Sequence, residues 1–208
     1  MLHNPTNAND ALPLLNAAGL VQNFKQHTSL WHQIEPQSDA ENETALHLHL
    51  TNFQLWHLED SARDPLATDA TIAQVKRTID KTNQRRNDLV ERFDAELLLA
   101  LSASHLPAAS APMHSETPGL IVDRLSILAL KIFHTDEQVR RENTSVEHRA
   151  RNQQRLLVLQ QQSADLATCL SCLWQEVCEG KRRYKLYQQL KMYNDPDLNP
   201  VLYTTTRP

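Results

Sequence analysis

Polar and aromatic residues between positions 49 and 63 are the first part of the chain whose residue types could do chemistry. They are three or four positions apart, so a helix would place them on one face. These residues are His49, Asn52, Phe53, Trp56, Glu59, Asp60 and Arg63, with His57 beside Asp60. Such a face predicts the wall of a polar pocket, with carboxylates for a divalent cation or for proton transfer. The alternative is a structural ion-pair network, such as Glu59 with Arg63.

A second polar interruption falls where Asn83, Arg86 and Asn87 break an otherwise apolar helical pattern. A buried guanidinium needs a carboxylate or a phosphate as its partner. Arg86 therefore predicts either an anion-binding site or an ion pair between helices. The carboxylates of Glu91 and Asp94 follow one helical turn apart. Such a pair can hold Mg²⁺, but it is also common on solvated helix faces.

A third set of charges, Asp123, Arg124 and Lys131, lies within the apolar stretch 120–134. Charges on a buried helix are costly unless they are paired. They indicate either a ligand site or a structural ion-pair network. Near the end of the chain, the basic run 181–185 and Lys191 predict either a solvated face or a positively charged lid over an anionic ligand.

Charges at positions where burial is expected should meet, because isolated buried charge is too costly to persist. We expect Glu59 or Asp60, Arg86, and Asp123 or Arg124 to face one polar cavity. The candidates for catalysis or for holding a cation such as Mg²⁺ or Mn²⁺ are His57, Glu59, Asp60 and Asp123. The candidates for ligand binding are His49, Asn52, Trp56, Arg63, Asn83, Arg86, Asn87, Arg124, Lys131 and Lys191.

Histidine and cysteine spacing predicts no zinc enzyme. The ten histidines are scattered and form no HExxH motif. Cys169 and Cys172 form a CxxC sequence without a second pair, so we expect them to be buried as small hydrophobic residues.

Composition excludes several function classes. The 208 residues include only 3 Gly, and no Gly-rich phosphate loop is present. The net charge of −4 gives no reason to expect nucleic acid as a partner. The 3 Cys suggest no disulfide framework. Without a signal peptide or a run of about 18 apolar residues, the chain is expected to be cytoplasmic and to have no membrane span.

Helical spacing dominates the elements that must position these residues, so we predict an all-α bundle of five or six helices with an ordered C-terminal extension. One domain is expected over 1–208, with a long loop at 103–118. The predicted helices cover about 12–34, 43–63, 69–102, 118 onward and 146–179, with a short helix in the tail. Asp69 and Thr117 are the expected N-caps, and Gly180 is the expected C′ residue.

Four stretches resemble a bacterial family catalogued as domain of unknown function 4254. They are LHLTNFQLWHLEDSAR (48–63), IDKTNQRRNDLVERFD (79–94), SETPGLIVDRLSILALKIFH (115–134) and YQQLKMYNDPDLNPVLY (187–203). The first 45 residues, with their predicted helix, lie outside these motifs. The resemblance implies an association with cell-surface polysaccharide genes. It assigns no role to any residue.

Two classes of function follow, and whether the chain is an enzyme stays open. In the first, it binds or processes a phosphorylated metabolite, such as a nucleotide sugar. An all-α nucleotide pyrophosphohydrolase-like, Mg-dependent hydrolase would be one version, although the ExxE partner of Glu91 and Asp94 is missing. In the second, it is a non-catalytic helical partner in envelope-glycan assembly. A homo-oligomer is compatible with both. Open space between the charged residues favours the first class, and saturated ion pairs favour the second.

Overall fold

The computed structural model describes residues 15–36, 43–188 and 197–203. Its helices are α1 (Ala17–Trp31), α2 (Thr44–Ser61), α3 (Asp69–Ser102), α4 (Pro118–Arg140), α5 (Val146–Cys178) and α6 (Pro200–Tyr203). Over the described ranges, the only β-type pairing is an isolated bridge between Met113 and Arg183. The predicted all-α bundle is therefore confirmed. Of the predicted C-terminal extension, residues 189–196 and 204–208 lie outside the described part.

Capping side chains explain where most of the helices begin. Asn16, Thr68, Thr117 and Ser145 each accept a hydrogen bond from a backbone N–H in the first turn that follows. Thr117 was expected in this role. The expectation for Asp69 was wrong, because Thr68 caps α3 and Asp69 lies in its first turn.

The first helix is shorter than the predicted span of 12–34. It begins at Ala17 and ends at Trp31, well before Pro36. Gly19 does not interrupt it, because its N–H donates to the Asn16 side chain in the first turn. Residues 12–14 lie outside the described part.

Helix α4 is the centre of the bundle, as its apolar sequence predicts. It packs against α1, α2, α3 and α5, and ten of its residues are buried. The larger core cluster includes Ile121 and Leu125 of α4. A smaller cluster joins Leu130 to α1 and α2. Neither α4 nor another helix in the described ranges combines the length and apolar character that crossing a membrane requires.

The long loop between α3 and α4 is tied to the segment that follows α5. Gly180 ends α5 with a φ of 69°, as expected for a C′ glycine. Beyond it, the Arg183 backbone N–H donates to the Pro112 carbonyl and its Nε donates to the Ala111 carbonyl. Lys181 and Arg182 pair with Glu179 and Glu176. The basic residues 181–183 thus hold local structure together.

Candidate functional site

A pocket of about 350 Å³ opens where α2, α3 and α4 meet. Its polar lining residues are Asn52, Glu59, Asp60, Arg63, Asn83 and Arg86. Its other lining residues are Leu55, Trp56, Ile127 and Leu130. Seven of the site residues predicted from helical spacing therefore line this one pocket. The apolar lining was not predicted, because Leu55, Ile127 and Leu130 look like ordinary core residues in the sequence.

Arg86 is the distinctive charge in this pocket. Its Nε atom is buried and has no hydrogen-bond partner, and within the described ranges the side chain forms no ion pair. Arg63, by contrast, pairs with Glu59 across one turn of α2. The predicted structural ion pair of α2 is therefore present, while Arg86 faces the pocket without one.

Trp56 forms the aromatic wall. Its ring stacks on that of His134, with centroids 4.6 Å apart and planes 7° from parallel. The stacking limits rotation of the indole, so a flat surface is already in place beside the pocket. Asp60 lies at the rim of the pocket with its side chain 66% exposed.

Asp123 does not line the pocket but lies directly behind Asn52. The Asn52 side-chain amide donates to an Asp123 carboxylate oxygen at 2.8 Å and to the Ser126 hydroxyl at 3.0 Å. Burial raises the pKa of Asp123, while the hydrogen bond from Asn52 and the charge of Arg86 oppose this rise. Asp123 therefore fixes the orientation of a pocket residue and adds negative potential near Arg86.

His49 lies deeper still and is completely buried. Its Nε2 is 2.9 Å from the Phe24 carbonyl oxygen, which can only accept, so the proton lies on Nε2. Its Nδ1 is 2.8 Å from the Ser126 hydroxyl oxygen and accepts a hydrogen bond from this hydroxyl group. Burial lowers the pKa of His49 to about 3. His49 is thus a core residue, and the structure does not bring it to the pocket as a ligand-binding group.

Arg124 and Lys131 lie in a different groove, between α4 and α5. Both residues are exposed, and a guanidinium nitrogen of Arg124 lies 2.7 Å from a carboxylate oxygen of Glu116. The lining of this groove and the lining of the first pocket have only Ile127 in common. Of the two expected alternatives, Asp123 or Arg124, Arg124 therefore does not share a cavity with Arg86, because the two arginines lie in different grooves.

The carboxylate pair of α3 is divided between two environments. Asp94 is buried, and it accepts a hydrogen bond at 2.7 Å from the Gly119 backbone N–H at the start of α4. Burial raises its pKa to about 6, while hydrogen bonds from Thr117 and Gly119 oppose the rise. Asp94 therefore caps a neighbouring helix. Asn87 is buried on the same helix, and Lys191 lies outside the described part.

Three histidines that the sequence scatters meet at the edge of the bundle, where α1 ends. One ring nitrogen of each of His32, His57 and His134 lies within 4.8 Å of the other two. They are the only such group of three metal-ligating side chains in the described ranges. His57 was predicted as a pocket residue, but its ring contacts these histidines and lines a groove beside α3. His32 and His134 carry no sequence signal, because long stretches of chain separate them from His57.

The cysteine expectation was wrong. Cys169 and Cys172 are both exposed, one turn apart on α5, and neither is in a disulfide. Helical periodicity places α5 against the bundle through Leu170 and Leu173, and it leaves both cysteines exposed.

Comparison with known proteins identifies the family to which this chain belongs. The model of the family described as "Protein of unknown function (DUF4254)" matches residues 42–186. The matched range includes three of the four stretches that carry the resemblance and ends before the fourth, at 187–203. No curated protein and no solved structure matches the chain.

Proposed function

Since the chain belongs to this family of unknown function, we propose its function from the pocket: it binds a small phosphorylated metabolite between α2, α3 and α4. The observation that supports the proposal is Arg86, which lines the pocket with a buried Nε that has no hydrogen-bond partner. Leaving such a donor unsatisfied costs about 1–3 kcal/mol. A phosphate oxygen that accepts from Arg86 would remove this cost and form a charge-assisted hydrogen bond.

The rest of the lining suits a ring attached to that phosphate. Trp56 offers a fixed aromatic face, and Asn83 and Asp60 offer hydrogen-bonding groups for hydroxyls. A volume of about 350 Å³ is near the lower end of small-molecule sites, which span about 300–1,000 Å³. The size favours a sugar phosphate, or one half of a nucleotide sugar.

Any reaction on the bound metabolite would depend on the carboxylates at the rim. Glu59 is paired with Arg63, whereas among the described residues Asp60 forms one ion-pair contact, with His57 at 4.0 Å. We therefore assign the role of general base, or of ligand to a Mg²⁺ or Mn²⁺ ion brought by the phosphate, to Asp60. Asp123 acts through Asn52 as a positioning residue.

The two competing functions receive less support. A purely structural role for the charges would leave them saturated, as Arg63 with Glu59 and Arg124 with Glu116 are, but Arg86 departs from this pattern. A hydrolase of the pyrophosphohydrolase type would need Asp94 at a metal, whereas Asp94 accepts from Gly119 at the start of α4.

The test is calorimetric titration of the protein with glucose 1-phosphate and with UDP-glucose, each with and without Mg²⁺. Methyl glucoside serves as the uncharged control ligand. Arg86→Gln should weaken binding about 10- to 100-fold, because a hydrogen bond to a charged group contributes about 1.5–3 kcal/mol. The matched control is Arg85→Gln, which changes the adjacent, exposed arginine.

The proposal would be contradicted in two ways. Equal affinities for Arg86→Gln and Arg85→Gln would remove the role of Arg86. If no phosphorylated probe binds the parent protein and Arg86→Gln only raises its stability, Arg86 is an uncompensated structural charge. Circular dichroism of each variant shows whether the helices are intact.

A further inference from the structure

The three histidines at the edge of the bundle form a site that differs from the phosphate pocket in residues and in chemistry. Their nitrogens lie within 4.8 Å of one another, although they come from the C-cap of α1, from α2 and from α4. Ring centroids are 5.2 Å apart for His32 and His57, and 5.0 Å apart for His32 and His134. We propose that His32, His57 and His134 bind one transition-metal ion, with Zn²⁺ as the ion that best fits three imidazoles.

The hydrogen bonds of two rings leave the correct nitrogen free for a metal. The Nδ1 of His32 lies 2.7 Å from the Thr28 carbonyl oxygen, and the Nδ1 of His134 lies 2.9 Å from a carboxylate oxygen of Glu137. Since these oxygens accept, each neutral ring carries its proton on Nδ1. In both rings Nε2 is buried and has no hydrogen-bond partner. Metal-binding histidines are oriented in this way by a carbonyl or a carboxylate.

Neighbouring groups favour a cation at this position. The carboxylates of Glu137 and Asp60 lie beside His134 and His57, and they would offset part of the charge of a divalent ion.

The rings are also held in place by packing. His32 stacks on Phe133 with centroids 4.2 Å apart, and His134 stacks on Trp56. A tetrahedral Zn²⁺ with Zn–N bonds of about 2.0–2.1 Å would bring its nitrogens closer together than the 4.8 Å within which these three nitrogens lie. Small side-chain rotations, chiefly of the partly exposed His57, would close this gap.

Three protein ligands leave a fourth position for water or for a ligand atom. Trp56 lies between His134 and the phosphate pocket, because its ring stacks on His134 while its side chain also lines the pocket. Imidazole ligands suit Zn²⁺, Cu²⁺ or Ni²⁺ better than Mg²⁺ or Mn²⁺, which prefer oxygen. The metal site is therefore distinct from a Mg²⁺ ion brought by a phosphorylated ligand.

The experiment uses tag-free protein stripped with a chelator, in a Cys169→Ser/Cys172→Ser background. This background is needed because the two exposed thiols lie one turn apart and could bind zinc themselves. Calorimetry with Zn²⁺ should give one ion per chain, and Co²⁺ should give the visible absorption of tetrahedral coordination. Bound Zn²⁺ should also raise the melting temperature, because the ion binds only where the three helices meet.

Variants identify the ligands. His57→Gln and His134→Gln should each weaken Zn²⁺ binding at least as strongly as the change of an orienting residue, which costs about 10- to 100-fold. Glu137→Gln tests that orienting role and should fall within the same 10- to 100-fold range. His47→Gln is the matched control, because His47 lies on α2 but about 15 Å along the helix from His57.

Several results would overturn the assignment. One such result is that the parent protein shows no saturable binding in millimolar zinc. Another is that His47→Gln loses as much affinity for zinc as His57→Gln. Full affinity in both His57→Gln and His134→Gln would likewise place the ion elsewhere. Arg86→Gln should bind Zn²⁺ as the parent does, so failure of the phosphate proposal and failure of the metal proposal are separate results. Circular dichroism confirms that each variant remains helical.

Discussion

His49 lies on the polar face of α2, but its hydrogen bonds allow it to be buried in the core. Both ring nitrogens have partners, and the ring stacks on Phe24 with centroids 4.6 Å apart. The Ser126 hydroxyl connects it to Asn52, and Asn52 connects to Asp123. A chain of satisfied hydrogen bonds thus runs from the interior to the wall of the pocket. Its function is to hold Asn52 and Asp123 in fixed orientations.

A pH-dependent stability difference should follow from the buried His49. The unfolded state binds a proton below about pH 6.5, whereas the folded state resists protonation of His49 until about pH 3. The stability that neutral His49 provides is therefore complete above pH 6.5 and is lost as the pH falls toward 3. The unfolding free energy of the parent minus that of His49→Gln should fall by about 1.4 kcal/mol per pH unit in this range.

Denaturant unfolding of both proteins at several pH values between 4 and 7 measures this difference. Asp94 acts in the opposite direction, because its raised pKa of about 6 lets the folded state take up a proton first. That effect is present in both proteins and cancels in the difference. A difference that does not change with pH would show that His49 is protonated in the fold.

The start of α4 determines how closely α3 and α4 can approach. Gly119 follows Pro118 in the first turn, and a Cβ at this position would lie 2.8 Å from both the Val90 carbonyl oxygen and an Asp94 carboxylate oxygen. The absence of a side chain lets the Gly119 N–H reach Asp94. Asp94 is therefore used at the contact between α3 and α4, and Arg86 is the charged residue of α3 that lines the pocket.

Gly119→Ala should therefore destabilise the fold even though alanine favours helices. We expect a loss of about 1–3 kcal/mol, because the added methyl group meets the Val90 carbonyl oxygen, a backbone atom that cannot rotate away. Gly19→Ala is the matched control, since its Cβ meets only the side-chain amide of Asn16. Urea unfolding compares the two variants. A loss for Gly119→Ala no greater than that for Gly19→Ala would show that the contact between α3 and α4 is loose.

At the scale of the whole molecule, two hydrophobic clusters share the same helices. The larger cluster contains Leu48 of α2 and Leu125 of α4, and the smaller contains Leu50 and Leu130 of the same two helices. The phosphate pocket and the three histidines both lie beside the smaller cluster, through Leu130 and Trp56. Since the clusters share α2 and α4, we expect them to unfold as one cooperative unit.

The tryptophans allow each cluster to be observed separately. Trp174 lies in the larger cluster, while Trp31 lies in the smaller one and Trp56 packs against it. In Trp174→Phe, fluorescence reports on the smaller cluster, and in a Trp31→Phe/Trp56→Phe double variant it reports on the larger. In each variant the fluorescence midpoint should coincide with the circular dichroism midpoint. Earlier unfolding of the smaller cluster by fluorescence would instead reveal a separate folding unit around the sites.

Local sequence determined the helices and the polar face of α2. The predicted third helix, 69–102, coincides with α3, and Thr117 with Pro118 begins α4 as expected. Helix formation and capping depend on residues three or four positions apart, so they can be inferred from spacing alone. The same spacing placed Trp56, Glu59 and Asp60 on one side of α2, where the structure has the pocket.

Contacts between distant helices were decided only by the tertiary structure. Arg86 and Asp94 lie on one helix, yet Arg86 faces the pocket and Asp94 accepts from the start of α4. His32, His57 and His134 meet because α1, α2 and α4 pack at one edge of the bundle. Periodicity specifies which face of a helix is buried but not which helix covers that face. That choice depends on how the buried surfaces of the whole chain fit together.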